Sequence, residues 1–284
     1  MSDKPHIISH FSSKKPVVSE PLNLSLLIDN ELFMYALFTQ NYNELIELCH
    51  IRQNESMQVE KNVTERVKFL INNYQLSGKR FENVNISILN SDFTILPESF
   101  AVTENSREIL EFSSGNKLKN SFSHKFNNLS FNYFIEPELI QFLEKTFKKA
   151  TFHHAGAIVI NLLFNSRSLK KCDLFLNFNE GIFELLAKEN NTLLYYNVFN
   201  YETKEDVMYF LLFMMDQFNL DPDKVKLFIG GQMEAEGELH KAIKKYIKHV
   251  DFVLDSISPV NLNNELKIPD HFYFTLLNQH LCEL

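Results

Sequence analysis

The sequence predicts an α/β protein in which one order of elements, strand–strand–strand–helix–strand–helix–strand, is used twice. Three observations predict it. Apolar runs of five to seven residues alternate with polar turns, which is the pattern of hairpin strands. Each triplet of runs leads into a segment with helical apolar spacing. The two triplets, opening at Leu24 and Leu174, agree independently.

In the first copy, strands are expected over Leu24 to Ile28, Leu32 to Phe38 and Leu45 to Leu48, with a polar turn at Asp29-Asn30-Glu31. A helix follows over Lys61 to Tyr74, where Val63, Val67, Leu70, Ile71 and Tyr74 share a face. A strand follows over Val84 to Leu89. The second copy runs through Leu174 to Phe178, Asn179-Glu180-Gly181, Ile182 to Ala187 and Leu193 to Phe199. Its helix, Lys204 to Phe218, opens with Thr203 and Asp206 at capping-box spacing. That helix is apolar around most of its circumference, which predicts enclosure in an interior.

Strand Val225 to Ile229, helix Ala235 to Lys248 and strand Asp251 to Leu254 complete the second copy. Between the copies lie a polar loop (Ser113 to Asn128), a strand (Leu129 to Ile135) and a helix (Pro137 to Lys149). Strand Thr151 to His154 and helix Ala157 to Asn165 end the link. Pro137 suits a first helical turn. The expected division is a mobile tail over residues 1–21, a first subdomain over 22–150 and a second over 151–284.

At 284 residues with 45% hydrophobic content, the chain can bury a large core, and its 27 Phe with no Trp make Phe the main filler. The net charge of -8 argues against nucleic acid, whose binding needs surplus Lys and Arg. Cys49, Cys172 and Cys282 show no metal or disulfide spacing and suit a reducing compartment. The longest apolar run, Val207 to Met215, is too short to span a bilayer. A cytoplasmic protein without membrane insertion is expected.

Several segments, LSLLIDNELFMYALF, FTILPESF, FHHAGA and YYNVFNYETKEDVMYFLLFMMDQFNLDPDKVKLFIGG, resemble an uncharacterised bacterial protein family with the actin-like ATPase fold. The repeated unit is similar to the ribonuclease-H-like modules of the actin, sugar-kinase and heat-shock-chaperone superfamily. The resemblance implies two such modules in an actin-like arrangement. It also implies three nucleotide contacts: an Asp-x-Gly turn in each half and a Gly-Gly against the adenosine.

At the first turn Asp29 and Asn30 are followed by Glu31 where the superfamily has Gly. A like-charge pair at ~4 Å in a surface-like dielectric costs on the order of 4 kcal/mol, as much as a millimolar binding free energy of about 4 kcal/mol. At the second turn Asn177 falls on the Asp and Asn179 on the Gly, with Gly181 two residues on. Both turns read as degenerate phosphate-binding turns. Gly230-Gly231 fits the adenosine contact, although a tight turn needing positive φ is the commoner reason for such a pair.

Adjacent His153 and His154 point to opposite strand faces and do not suit one metal. One buried and one surface His is expected. The lysine faces Lys145/Lys148/Lys149 and Lys241/Lys244/Lys245/Lys248 read as solvated helix faces. No catalytic residue and no metal site emerge, and a metal-dependent nuclease would need more carboxylates than Asp29. The expected function is a non-catalytic interaction or scaffold protein with a protein partner and no cofactor. The alternative is a weak ATP-binding switch or kinase-like ATPase using ATP and magnesium.

Overall fold

Strands β2 (Leu22–Ile28) and β3 (Leu32–Phe38) are buried at nearly every position, so their largely apolar character reflects a sheet covered on both faces. The computed structural model describes residues 6–12, 21–52, 62–100, 103–115, 121–166, 169–253 and 268–282. Two compact units divide the chain, the first built on residues 1–158 and the second on 159–259 and 267–281.

In the first unit, β1 (His6–Ser12), β4 (Leu45–Arg52), β3, β2, β5 (Phe81–Ile88) and β9 (Ala150–His154) lie side by side in that order. β5 runs parallel to both β2 and β9, while β1, β4, β3 and β2 pair antiparallel. Helices α1 (Val63–Asn73) and α3 (Pro137–Thr146) pack against each other. The Asn62 side chain caps α1 by accepting from the Thr64 amide at 2.7 Å. A second sheet, β6 (Phe93–Pro97), β8 (Leu129–Tyr133) and β7 (Phe122–Phe126), is inserted between β5 and α3 together with α2 (Thr103–Ser114).

The second unit has the sheet β12 (Thr192–Asn200), β11 (Ile182–Glu189), β10 (Leu174–Asn179), β13 (Lys226–Gly231), β14 (His249–Phe252). Apart from β1, the two large sheets have one strand order, third-second-first-fourth-fifth. This is the expected α/β unit in both halves. Helix α5 (Lys204–Gln217) carries the expected capping box from Thr203 and Asp206. Helix α6 (Glu238–Tyr246) precedes β14, and a short helix, α7 (Phe274–Asn278), follows it.

Several expectations are corrected. Residues 6–12, read as tail, form β1, which extends the first sheet by pairing with β4. Residues 1–5 and 13–20 of that tail, with Lys61 and Leu254, lie outside the described residues. The expected polar loop contains the end of α2 and strand β7. Strand β9, expected in the second subdomain, belongs with α3 to the first unit, because it pairs with β5 across the insertion. Helix α5 is not enclosed: Val207, Leu211, Met214 and Met215 are buried, while Tyr209 and Phe213 are 62% and 54% exposed. Both His153 and His154 are buried.

Candidate functional site

Asp29 ends β2 with only 4% of its surface exposed. Its Oδ1 accepts from the Glu31 amide at 2.5 Å and the Leu32 amide at 2.7 Å, closing the β2–β3 turn as Asp side chains do. Its own amide donates to the Leu32 carbonyl at 3.1 Å. Arg66 on α1 steadies the turn by donating Nη2 to the Asn30 carbonyl at 2.8 Å. Oδ2 of Asp29 has no hydrogen-bond partner. Burial pushes the carboxyl up to about 6, against the pull of the two amides. Glu31 turns outward, 67% exposed, and meets Arg52 at 3.7 Å. Such a pair adds little.

Below the turn, a cleft of about 480 Å³ opens where β2 and β5 end and α1 and α3 begin. Asp29, Asp92, Glu136 and Glu138 line it, and among the described residues no Lys, Arg or His does. Glu31 is not among the lining residues. Glu136 Oε2 accepts from Thr64 Oγ1, and Glu138 Oε2 from Asn62 Nδ2, each at 3.4 Å. Burial also raises the Asp92 carboxyl. A bare helix N-terminus attracts anions. At α3 that position carries Glu136 and Glu138 instead. Ile28, Leu89, Phe134 and Leu139 give the cleft apolar walls. Among the described residues, no group of three or more His, Cys, Asp or Glu is placed to hold a metal ion.

The corresponding turn of the second unit is buried. Asn177 on β10 is 1% exposed, and its Nδ2 donates to Glu184 Oε2 at 2.5 Å and to Thr275 Oγ1 at 3.0 Å. Glu184 Oε1 accepts from the Tyr196 hydroxyl at 2.7 Å. Full burial pushes the Glu184 carboxyl up to about 7, opposed by those two bonds. Asn177 Oδ1 and Asn179 Nδ2 lack partners. Gly181 has φ +74° in the β10–β11 hairpin, a conformation that favours glycine.

Gly230 and Gly231 end β13, and both are buried. A Cβ on Gly230 would lie 2.9 Å from Phe175 Cζ and 3.3 Å from Phe274 Cβ. Gly231, at φ +77°, donates its amide to the His271 carbonyl at 2.6 Å, and a Cβ there would lie 2.0 Å from the Phe178 carbonyl oxygen. The pair is therefore required by a positive-φ turn and by close packing. The structure brings Asn177 and Gly230 together, paired across β10 and β13.

Sequence reasoning missed Glu184, Tyr196, Thr275 and Asp92. Glu184 carried a signal, being one charge inside the apolar strand run Ile182 to Ala187. Asp92 and Thr275 carried none, since only the fold brings them to these turns. His154 donates Nε2–H to the Asn90 carbonyl at 3.0 Å and accepts from the Gly156 amide at Nδ1. Burial lowers its pKa to about 3, so it is a neutral structural residue. Lys148 and Lys149, expected on a solvated face, line a second groove of the first unit with Lys79 and Arg80.

A protein of Bacteroides thetaiotaomicron with an actin-like ATPase fold and unknown function is similar to this chain. The TM-score is 0.73 at 19% identity, over 93% of this chain and 97% of that one. A chain of the PilM-PilN type IV pilus biogenesis complex aligns with TM-score 0.62 at 10% identity, over 94% of this chain and 100% of its own. The fold is thus the actin-like ATPase fold, built from two ribonuclease-H-like modules. No curated relative matches the chain. Residues 12–250 match the family described as protein of unknown function, DUF3822, and the chain belongs to that family.

Proposed function

We propose that this DUF3822 chain is a non-catalytic interaction protein that uses the actin-like fold to hold a protein partner, without nucleotide or metal. The observation that carries this reading is the cleft at the Asp29 turn, lined by four carboxylates and, among the described residues, by no basic one. A triphosphate there would meet like charge in a partly desolvated site, where repulsion is screened least. Close packing of Gly230 against Phe274 and of Gly231 against the Phe178 backbone supports the same reading, because it leaves these glycines no room for an adenosine. The pilus neighbour is itself described as part of a complex, in keeping with a partner-binding use of the fold.

A cytoplasmic setting fits the free thiols Cys49, Cys172 and Cys282. Among the described residues no helix is long and apolar enough to cross a membrane. The formal charge of -8 fits a protein partner better than nucleic acid.

Retention of Asp29 at the end of the first strand favours a second reading, a weak ATP-binding switch or kinase-like ATPase. Calorimetry with ATP and magnesium separates the two. No binding heat and no thermal shift at millimolar nucleotide are expected. Ligand at a hundred times its dissociation constant stabilises by about 2.7 kcal/mol, an easily seen shift. Micromolar binding with hydrolysis abolished by Asp29→Ala overturns the interaction reading.

A further inference from the structure

We propose that the cleft of the first unit binds an organic cation, the ammonium or guanidinium end of a basic chain, where relatives of this fold would place a phosphate. The inference rests on the interaction reading above and names the chemistry of what is held.

Two independent observations carry it. The first is charge: Asp29, Asp92, Glu136 and Glu138 all line the cleft, with no Lys, Arg or His among its described lining residues. The Arg66 guanidinium, which acts on Asp29 electrostatically, donates to the Asn30 carbonyl. The second is an unmet acceptor. Asp29 is buried to 4% exposure, its Oδ1 is taken by two backbone amides, and its Oδ2 has no partner. A buried carboxylate oxygen without a donor is costly, and an N–H of a bound cation supplies one.

The walls decide which cation. Ile28, Leu89, Phe134 and Leu139 give an apolar lining beside the carboxylates. That combination suits a long aliphatic stem with a charged tip, as in Lys, Arg or a polyamine. A hydrated metal ion gains nothing from such walls, and the described carboxylates do not converge at metal-ligand geometry.

The full chain is titrated calorimetrically with four probes: an acetylated, amidated tetra-arginine peptide, its citrulline counterpart, spermidine and tripolyphosphate. The arginine peptide is expected to bind at least tenfold more tightly than the citrulline peptide, and tripolyphosphate not at all. Glu136→Gln with Glu138→Gln, and separately Asp92→Asn, are expected to weaken the peptide at least tenfold. Glu82→Gln with Glu98→Gln removes two exposed carboxylates outside the cleft and is expected to leave affinity within twofold. Peptide binding tighter than spermidine supports a partner's basic segment as the source, and the reverse order supports a free polyamine. Equal weakening by the two double variants, unchanged binding in the cleft variants, or tripolyphosphate binding overturns the proposal. If cations fail to bind and ATP also fails, this inference falls while the interaction reading stands. If ATP binds and is hydrolysed, the interaction reading falls as well.

Discussion

The two halves share a strand order but use the end of their first strand in opposite ways. In the first unit, Asp29 closes its hairpin with one oxygen and leaves the other facing no donor, beside an open acidic cleft. In the second, Asn177 is roofed by Thr275 and wired to Glu184 and Tyr196, and Gly230 and Gly231 lie under the same segment. One turn has kept access while the other has become core. The end of the first strand in two sheets of one strand order can thus be packed over by the chain itself or left beside an open cleft.

The sharpest way to break this contrast is Gly231→Ala. It forces a Cβ within 2.0 Å of the Phe178 carbonyl oxygen at φ +77°. A loss above about 4 kcal/mol is expected, enough to unfold the second unit in a denaturant titration. Retention of stability with a gain in nucleotide affinity would mean the glycines are not packing residues. Phe274→Ala opens the roof itself. The ring is 2% exposed and lies 5.1 Å from Phe175, so a loss of about 3–5 kcal/mol is expected by the same titration.

The buried carboxylates give a pH test. Glu184 is held near 7 instead of the usual 4.5, so the folded state binds its proton more tightly than the unfolded state does. Its stabilising contribution is full below about 4.5 and is lost as pH rises through about 7. Glu184→Gln is expected to raise stability at pH 8 by roughly 2 kcal/mol and to change it little at pH 4.5, read from denaturation midpoints. Asp29→Asn follows the same sign over a lower window, from about 4 to about 6. An increase in wild-type stability between pH 5 and 8 that Glu184→Gln abolishes would contradict this. The smallest effect belongs to Glu31→Gly. Glu31 is 67% exposed and does not line the cleft, so stability should move by no more than about 0.5 kcal/mol and ATP binding should stay absent. Restored binding would place the barrier at Glu31 rather than at the cleft carboxylates.

The hairpins of both units were legible because their strands are buried on both faces, which writes continuous apolar runs such as Leu32–Phe38 into the sequence. The membership of β9 was not, since the β5–β9 pairing spans an inserted sheet and leaves no local trace. Strand β1 escaped notice because it is an edge strand whose polar His10 and Ser12 break any alternation. Helix α5 misled in the other direction, as Tyr209 and Phe213 add apolar character to a face that stays in solvent. At the site, Asp29, Asn177 and the glycine pair were readable from local turn patterns. The carboxylate lining was not, because Asp92, Glu136 and Glu138 meet Asp29 only through the fold.

Segment 271–275 also has a consequence for the order in which the protein assembles. Asn177 and Thr275 are 98 residues apart in the chain, so their bond closes a long loop for little enthalpic return until the rest of the segment docks. During synthesis the strands Leu174–Asn179 and Lys226–Gly231 emerge well before the residues that cover their ends. Until that segment docks, the ends of β10 and β13 lack the cover that Thr275 and the His271 carbonyl give Asn177 and Gly231.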